Sequence, residues 1–185
     1  MRRSMLERMI ARLTAQRAWL DLAAVLADGM PGIVLEVGLG KGRTFDHLRA
    51  RLPDRPIYAF DASLHAPRNC APSPERLLLG DFRETLPRML ARVGPSVALA
   101  HADFGSEDPA HDAAQAASLG PLLDPLMRDG GIVVADRLLH VAGWQPLAAP
   151  AGLDWPYWGW RVRGERPGEG SHPAEEIVPP ACIFS

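Results

Sequence analysis

The residues best suited to chemistry sit at the ends of successive apolar runs. Glu36 lies inside the run Ile33–Val37, two positions before Gly38. Gly38, Gly40 and Gly42 then alternate with other residues, and a helical stretch, Phe45 to Arg51, follows at once. A strand, a tight glycine turn and a helix start form a cradle for a nucleotide-type cofactor. Glycines let the backbone approach the ligand, and the free N–H groups of the helix start face it. A carboxylate buried in an apolar strand is costly without a partner, so Glu36 calls for a cation such as a ligand ammonium. Asp61 ends the next run, 21 positions after Gly40. An acid about 20 residues beyond such a turn can accept hydrogen bonds from both ribose hydroxyls, the alternative being a turn or cap Asp. Gly80-Asp81-Phe82 and His101-Ala102-Asp103 end two further runs. Asp81 is either a ligand acid or the cap of a helix from Glu84. His101 is either a general base near neutral pH or a core histidine satisfied by backbone.

The glycine spacing discriminates among cofactors. It is not the Gly-x-x-x-x-Gly-Lys-Ser/Thr of a nucleoside-triphosphate loop, despite Lys41. It departs by one residue from the dinucleotide fingerprint Gly-x-Gly-x-x-Gly. A nicotinamide-dependent oxidoreductase is therefore a rival that the spacing and Glu36 disfavour.

Positioning these residues requires a layered sheet. Residues 4–28 read as a helix with an apolar stripe of Leu6, Ile10, Leu13 and Leu20, thickened by Trp19, Leu22, Val25 and Leu26. Gly29 and Pro31-Gly32 stop it. This helix precedes the first strand, so it either covers a pocket or pairs across a two-fold axis in a homodimer. Strands are expected at Ile33–Val37, Ile57–Phe60, Arg76–Leu79, Val97–His101 and Ile132–Ala135. Pro67, Pro72 and Pro74 make the second crossover a loop. Asp108-Pro109 opens a helix to about Ser118, and Gly120-Pro121 breaks it. The strands are nearly continuous in apolar residues, the mark of a parallel sheet covered on both faces. Alternation of strand and helix predicts a doubly wound α/β fold. Beyond Asp136, Trp144, Trp155, Tyr157, Trp158 and Trp160 cluster among prolines. Trp158–Val162 is expected as a last, antiparallel edge strand, residues 164–176 as a loop, and the aromatic tail either as the wall of a pocket or, for any single tryptophan, as plain edge-strand and core packing.

The chain of 185 residues suits one domain: an N-terminal helix (1–30), a cofactor-binding core (31–140) and a C-terminal edge strand and tail (141–185). A net charge of −2 without a basic stripe argues against nucleic acid as partner. No apolar run approaches the roughly 20 residues that span a bilayer, and charges interrupt the N-terminal stretch, against a secretory signal. Cys70 and Cys182 fit no metal pattern and read as free thiols of a cytoplasmic protein.

The run Leu35-Glu36-Val37-Gly38-Leu39-Gly40-Lys41-Gly42 resembles the first motif of class I S-adenosylmethionine-dependent methyltransferases. The resemblance covers about residues 32–136. The longer run to Arg49, with Arg43-Thr44 and His47-Leu48-Arg49, is most similar to a small bacterial branch of them. It implies a Rossmann-like sheet, S-adenosyl-L-methionine as cofactor and a small-molecule methyl acceptor. It implies that Glu36, Gly38, Leu39, Gly40, Gly42, Arg43 and Thr44 cradle the methionine part. Asp61 would take the ribose, with Ala62 and Ser63 near the adenosine, and Asp81 and Phe82 the adenine. His101 and Asp103 would face the methionine moiety and acceptor as the catalytic pair. In magnesium-dependent relatives two acids resembling Asp103 and Asp136 bind a cation, but Arg137 follows here where a further oxygen ligand is expected, so no metal is assigned. A module that binds the cofactor without turnover is the remaining rival, since no strong catalytic signature is present.

Overall fold

The computed structural model describes residues 3–105 and 108–162. Helix α1 (Met5–Ala27) opens the chain. It starts on a capping box: Ser4 Oγ accepts the Glu7 N–H at 3.2 Å, and the Glu7 carboxylate accepts the Ser4 N–H at 2.6 Å. Only its second half lies on the sheet, through Ala15, Trp19, Leu20, Ala23 and Ala27. Alanines at this spacing let the helix approach closely, and Trp19 lies so near Gly159 that a Cβ there would fall 2.3 Å from its ring. The expected stripe is thus a different one. Leu6, Ile10 and Leu13 are 69%, 56% and 38% exposed, because the first half of α1 runs past the sheet edge.

The chain then alternates: β1 (Ile33–Val37), α2 (Arg43–Arg51), β2 (Ile57–Asp61), β3 (Leu77–Leu79), α3 (Phe82–Val93), β4 (Val97–Ala102), α4 (Pro109–Leu123), β5 (Met127–Ala135), β6 (Trp144–Pro146) and β7 (Trp158–Val162). The sheet has seven strands in the order β3-β2-β1-β4-β5-β7-β6. The first five are parallel, and β7 runs antiparallel to β5 and to β6. The fold is the expected doubly wound, mostly parallel Rossmann-like sheet. Its parallel strands carry apolar residues on both faces. One face packs Leu35, Phe60, Leu86, Met89 and Leu123 under α3 and α4; the other packs Val34, Leu48, Ala59 and Leu99 under α1 and α2.

Three expectations change. Helix α4 continues through Gly120-Pro121 to Leu123. Gly120 sits against Val141, where a Cβ would approach the Val141 side chain to 2.6 Å, and this close packing offsets the backbone bond that Pro121 cannot donate. Strand β5 starts at Met127, five residues early, absorbing Gly130-Gly131 as a register shift against β4. Strand β7 is interior, because β6 covers its outer side. The broken second crossover is two 3₁₀ turns, Arg68–Cys70 and Pro74–Arg76. Among the described residues no helix is long and apolar enough to cross a membrane. The expected loop at 164–176 and Cys182 lie outside the described residues.

Candidate active site

The carboxyl ends of the parallel strands open onto two adjoining cavities, where open α/β sheets take their ligands. The larger, about 350 Å³, is walled by Gly38, Asp61, Ala62, Asp81, Phe82 and Phe104. The smaller, about 130 Å³, lies between α1 and the glycine turn, among Arg12, Leu39, Gly40, Arg43, Thr44 and Asp103. Gly38 belongs to both walls.

The glycine turn is shaped by close approach. Gly38 adopts φ 94°, and a Cβ there would stand 2.5 Å from the Asp103 carbonyl oxygen. Gly42 adopts φ 74° as the cap of α2, and its Cβ would lie 1.9 Å from the Cys70 carbonyl oxygen. Both the dihedral and the space demand glycine. Lys41 and Arg43 flank the mouth of the smaller cavity.

Asp61 reaches back to the turn: its Oδ2 accepts the Gly40 N–H at 2.7 Å and its Oδ1 accepts the Ser63 N–H at 3.3 Å. The carboxylate is thereby held across the mouth of the larger cavity. Ala62 lines that cavity, whereas Ser63 turns to the His65 ring at 2.8 Å. Asp81 stands at the start of α3. It caps α3 by accepting the Arg83 N–H at 2.8 Å, and it borders the cavity. Phe82 and Phe104, with ring centroids 5.4 Å apart, make an apolar wall beside it.

A chain of side chains lies behind the smaller cavity. Thr44 donates its hydroxyl to Glu36 Oε1, and Glu36 Oε2 meets His101 Nδ1 at 2.7 Å. His101 Nε2 meets the Tyr157 hydroxyl at 2.5 Å, and Tyr157 donates to Asp103 Oδ2 at 3.1 Å. Asp103 also accepts from Arg12 at 2.5 Å and from Gln16. Glu36 and His101 are wholly buried. The single proton of the Tyr157 hydroxyl goes to Asp103, so Nε2 of His101 must donate to the phenol oxygen. Glu36 needs the Nδ1 proton as well, so the ring carries both protons and a positive charge. Neither ring nitrogen is free, and His101 borders neither cavity.

The electrostatics agree. Burial alone would push the His101 imidazole down, but the Glu36 carboxylate outweighs it and Asp103 and Asp136 add to it, so its pKa is raised. Burial would push Asp103 up, but the charges of His101 and Arg12 and the Gln16 hydrogen bond hold it below the usual carboxylate range. Tyr157 is driven well above its ordinary value by burial and then by Asp103 and Asp136, so it stays protonated.

Three members of the chain were not legible in the sequence as site residues. Arg12 and Gln16 are four apart and share a face of α1, a signal that is visible in hindsight but common to any helix. Tyr157 has no local signal. The tryptophans divide: Trp144 and Trp160 pack in the core with centroids 6.0 Å apart, and Trp144 Nε1 donates to Asp124 at 2.7 Å, whereas Trp155 lines a separate cavity with Arg3 and Arg8 that shares no lining residue with the other two. No group of three or more His, Cys, Asp or Glu that could hold a metal occurs among the described residues. Beside Asp103, where a cation would sit in the magnesium pattern, stands the Arg12 guanidinium.

Residues 3–156 match the family described as S-adenosyl-L-methionine methyltransferase. No curated protein matches the chain. Among solved structures, an S-adenosyl-L-methionine methyltransferase from Silicibacter pomeroyi DSS-3 is 34% identical, with a TM-score of 0.82 over 87% of this chain and 99% of that one. Two more distant structures share the fold. One is CalS11, a TDP-rhamnose 3′-O-methyltransferase of calicheamicin biosynthesis, at 21% identity and TM-score 0.59, covering 81% of this chain and 80% of that one. The other is cofactor-bound Rv0187 from MTB, at 15% identity and TM-score 0.54, covering 84% of this chain and 89% of that one. With the glycine cradle and the acids at successive strand ends already in place, this chain belongs to the S-adenosyl-L-methionine methyltransferases.

Proposed function

We propose that this methyltransferase passes its methyl group to an oxygen or nitrogen nucleophile of a small molecule in the cytoplasm. The observation that carries the reading is the pair of cavities meeting at Gly38. Their combined shape suits a nucleoside with a short charged arm, within the few hundred Å³ usual for ligand sites. CalS11, a TDP-rhamnose 3′-O-methyltransferase, supports a small acceptor on this fold.

The residues fit the cofactor in two halves. Asp61, held by Gly40, presents a carboxylate to the ribose hydroxyls, with Ala62 and Ser63 following it. Asp81 and the Phe82 wall suit the adenine. Gly38, Leu39, Gly40 and Gly42 bring backbone close to the methionine arm, and Arg43 and Thr44 start the helix that faces it. Arg12 suits the arm's carboxylate and Asp103 its ammonium. Glu36 and His101 stand behind Asp103 and orient it through Tyr157, so His101 acts by positioning in this reading and not as the base. When bound, S-adenosylmethionine supplies a sulfonium methyl whose leaving group is already activated. The chain's own tasks are alignment and removal of the acceptor proton.

Calorimetric titration with S-adenosylmethionine tests the cradle, and saturable one-to-one binding is expected. Release of S-adenosylhomocysteine on incubation with a deproteinised metabolite pool tests the acceptor. Turnover confined to protein or nucleic-acid fractions would overturn the small-molecule reading.

A further inference from the structure

The two cavities carry opposite charge. Among the described residues the larger is lined by two acids, Asp61 and Asp81, and by no lysine or arginine. The smaller is lined by three cations, Arg12, Lys41 and Arg43, against the single acid Asp103. A nucleoside is neutral and offers hydroxyl donors to an acid, so the larger cavity suits it. The methionine arm is a zwitterion, and Arg12 and Asp103 answer its two charges. Lys41 and Arg43 are left over: neither makes an ion pair or a side-chain hydrogen bond among the described residues. A bound cofactor adds its sulfonium, so the mouth of the smaller cavity holds an excess of positive charge that the cofactor enlarges. Lys41 is also the only lysine of the chain.

The same mouth has an apolar side. Arg12 and Gln16 of α1 both donate to Asp103, the former at 2.5 Å, and so fix which face of the helix looks down on the cavity. Met9 and Leu13 lie on that face, three positions before each of them, and line the same cavity. Both stay open to solvent, at 40% and 38% exposure. We propose that the methyl acceptor is a small organic anion with an apolar portion. Its anionic group, a carboxylate or a phosphate ester, pairs with Lys41 beside Arg43, and its apolar portion lies on Met9 and Leu13. This rests on the small-molecule reading above and deepens it by naming the class of acceptor.

Other acceptors match the mouth less well. A cationic one meets Lys41, Arg43 and the cofactor sulfonium at once, and like charges brought together are costly. A neutral polar one leaves both cations unanswered and the two apolar side chains in water. Met9 and Leu13 belong to the cavity wall itself, continuous with Lys41 and Arg43, which selects a ligand of the cavity over a protein partner on a separate face.

Because Lys41 is the only lysine, protein labelled with ¹³C at lysine Cε gives one such resonance, a reporter at the cavity mouth. A deproteinised metabolite pool is divided on an anion-exchange resin near neutral pH. With S-adenosylhomocysteine bound, the resonance is expected to shift saturably with the retained fraction and to stay in place with the flow-through. The retained fraction should also carry the release of S-adenosylhomocysteine when S-adenosylmethionine is supplied. In Lys41→Gln, KM for that fraction should rise about 5–10-fold, with kcat and S-adenosylmethionine affinity unchanged, and Lys41→Arg should restore it. Added salt should shrink the rise, since an exposed pair is screened. Met9→Ser should raise KM several-fold in a way that salt does not alter. Phosphatase treatment of the retained fraction tells the two anions apart, and either result supports the inference: lost release marks a phosphate ester, kept release a carboxylate. Release confined to the flow-through, an unmoved Lys41 resonance, or an unchanged KM in Lys41→Gln overturns the inference and leaves the small-molecule reading intact. Cofactor binding without release from either fraction overturns that reading, and the inference with it.

Discussion

The two halves of the cleft are built by different physics. On the adenosine side, Asp61, Ala62, Asp81 and Phe82 each sit in the first residues after a strand or at its last position. Asp81 keeps a side chain 48% exposed, and its bonds are to neighbours two residues away. On the methionine side, Glu36, His101, Tyr157, Asp103, Arg12 and Gln16 come from three strand ends or their flanks and from α1, up to 91 positions apart for Arg12 and Asp103. Glu36 and His101 are dry. The first half keeps its acids at the wall of the larger cavity, bonded to nearby backbone and to the glycine turn, while the second spends its polar groups on one another. Substitutions should therefore cost affinity in one half and stability in the other.

The largest test of that contrast is His101→Ala. It strands the Glu36 carboxylate in a dry core, and breaking a buried ion pair costs about 3–5 kcal/mol. Differential scanning calorimetry should register a large drop in Tm, and a wild-type Tm would show that no charged pair exists. The sign in pH follows from the raised pKa. The stabilisation from His101 is full below the unfolded-state value near 6.5 and is lost as pH rises through the higher folded value.

Next in size is Asp61→Ala, on the other side of the cleft. Losing hydrogen bonds to a charged group costs about 1.5–3 kcal/mol, so S-adenosylmethionine affinity should fall by roughly 10–100-fold with Tm nearly unchanged. An unaltered calorimetric affinity would remove Asp61 from the ribose.

Asp136→Asn should be a stabilising change with its own pH signature. The carboxyl is raised to about 7 in the folded protein, so its charge opposes folding above the unfolded value of about 3.9. That penalty grows as pH rises from about 4 to 7 and is complete above it. The variant should melt a few degrees higher than wild type at pH 8 and equally at pH 4. Equal melting at both would mean that Asp136 has a donor in solution.

The smallest effect is expected for Asp81→Ala. Loss of the α3 cap costs about 1 kcal/mol, with a loss of affinity smaller than that of Asp61→Ala. A larger affinity loss than at Asp61 would shift the main anchor of the cofactor from ribose to adenine.

The legible and illegible parts of the molecule divide along the same line. The glycine turn, the acids after β2 and β3, and the parallel strands are local: two or three neighbouring residues carry each signal. Misreadings arose where a local rule met a tertiary contact. Gly120-Pro121 reads as a helix break, yet close packing on Val141 keeps α4 going. Leu6, Ile10 and Leu13 make a helical stripe, yet the sheet ends before it reaches them. His101 reads as a candidate base because its type and its place at a strand end are visible, whereas its partners Glu36 and Tyr157 lie 65 and 56 positions away.

By itself, the sequence determined the glycine turn and the acids at the ends of β2 and β3, because Gly38, Gly40, Gly42, Asp61 and Asp81 are placed by backbone geometry set within a few residues. Only the tertiary structure decided which polar groups at the strand ends are free. Burial and hydrogen-bond saturation are properties of contacts between distant segments, and they close both ring nitrogens of His101.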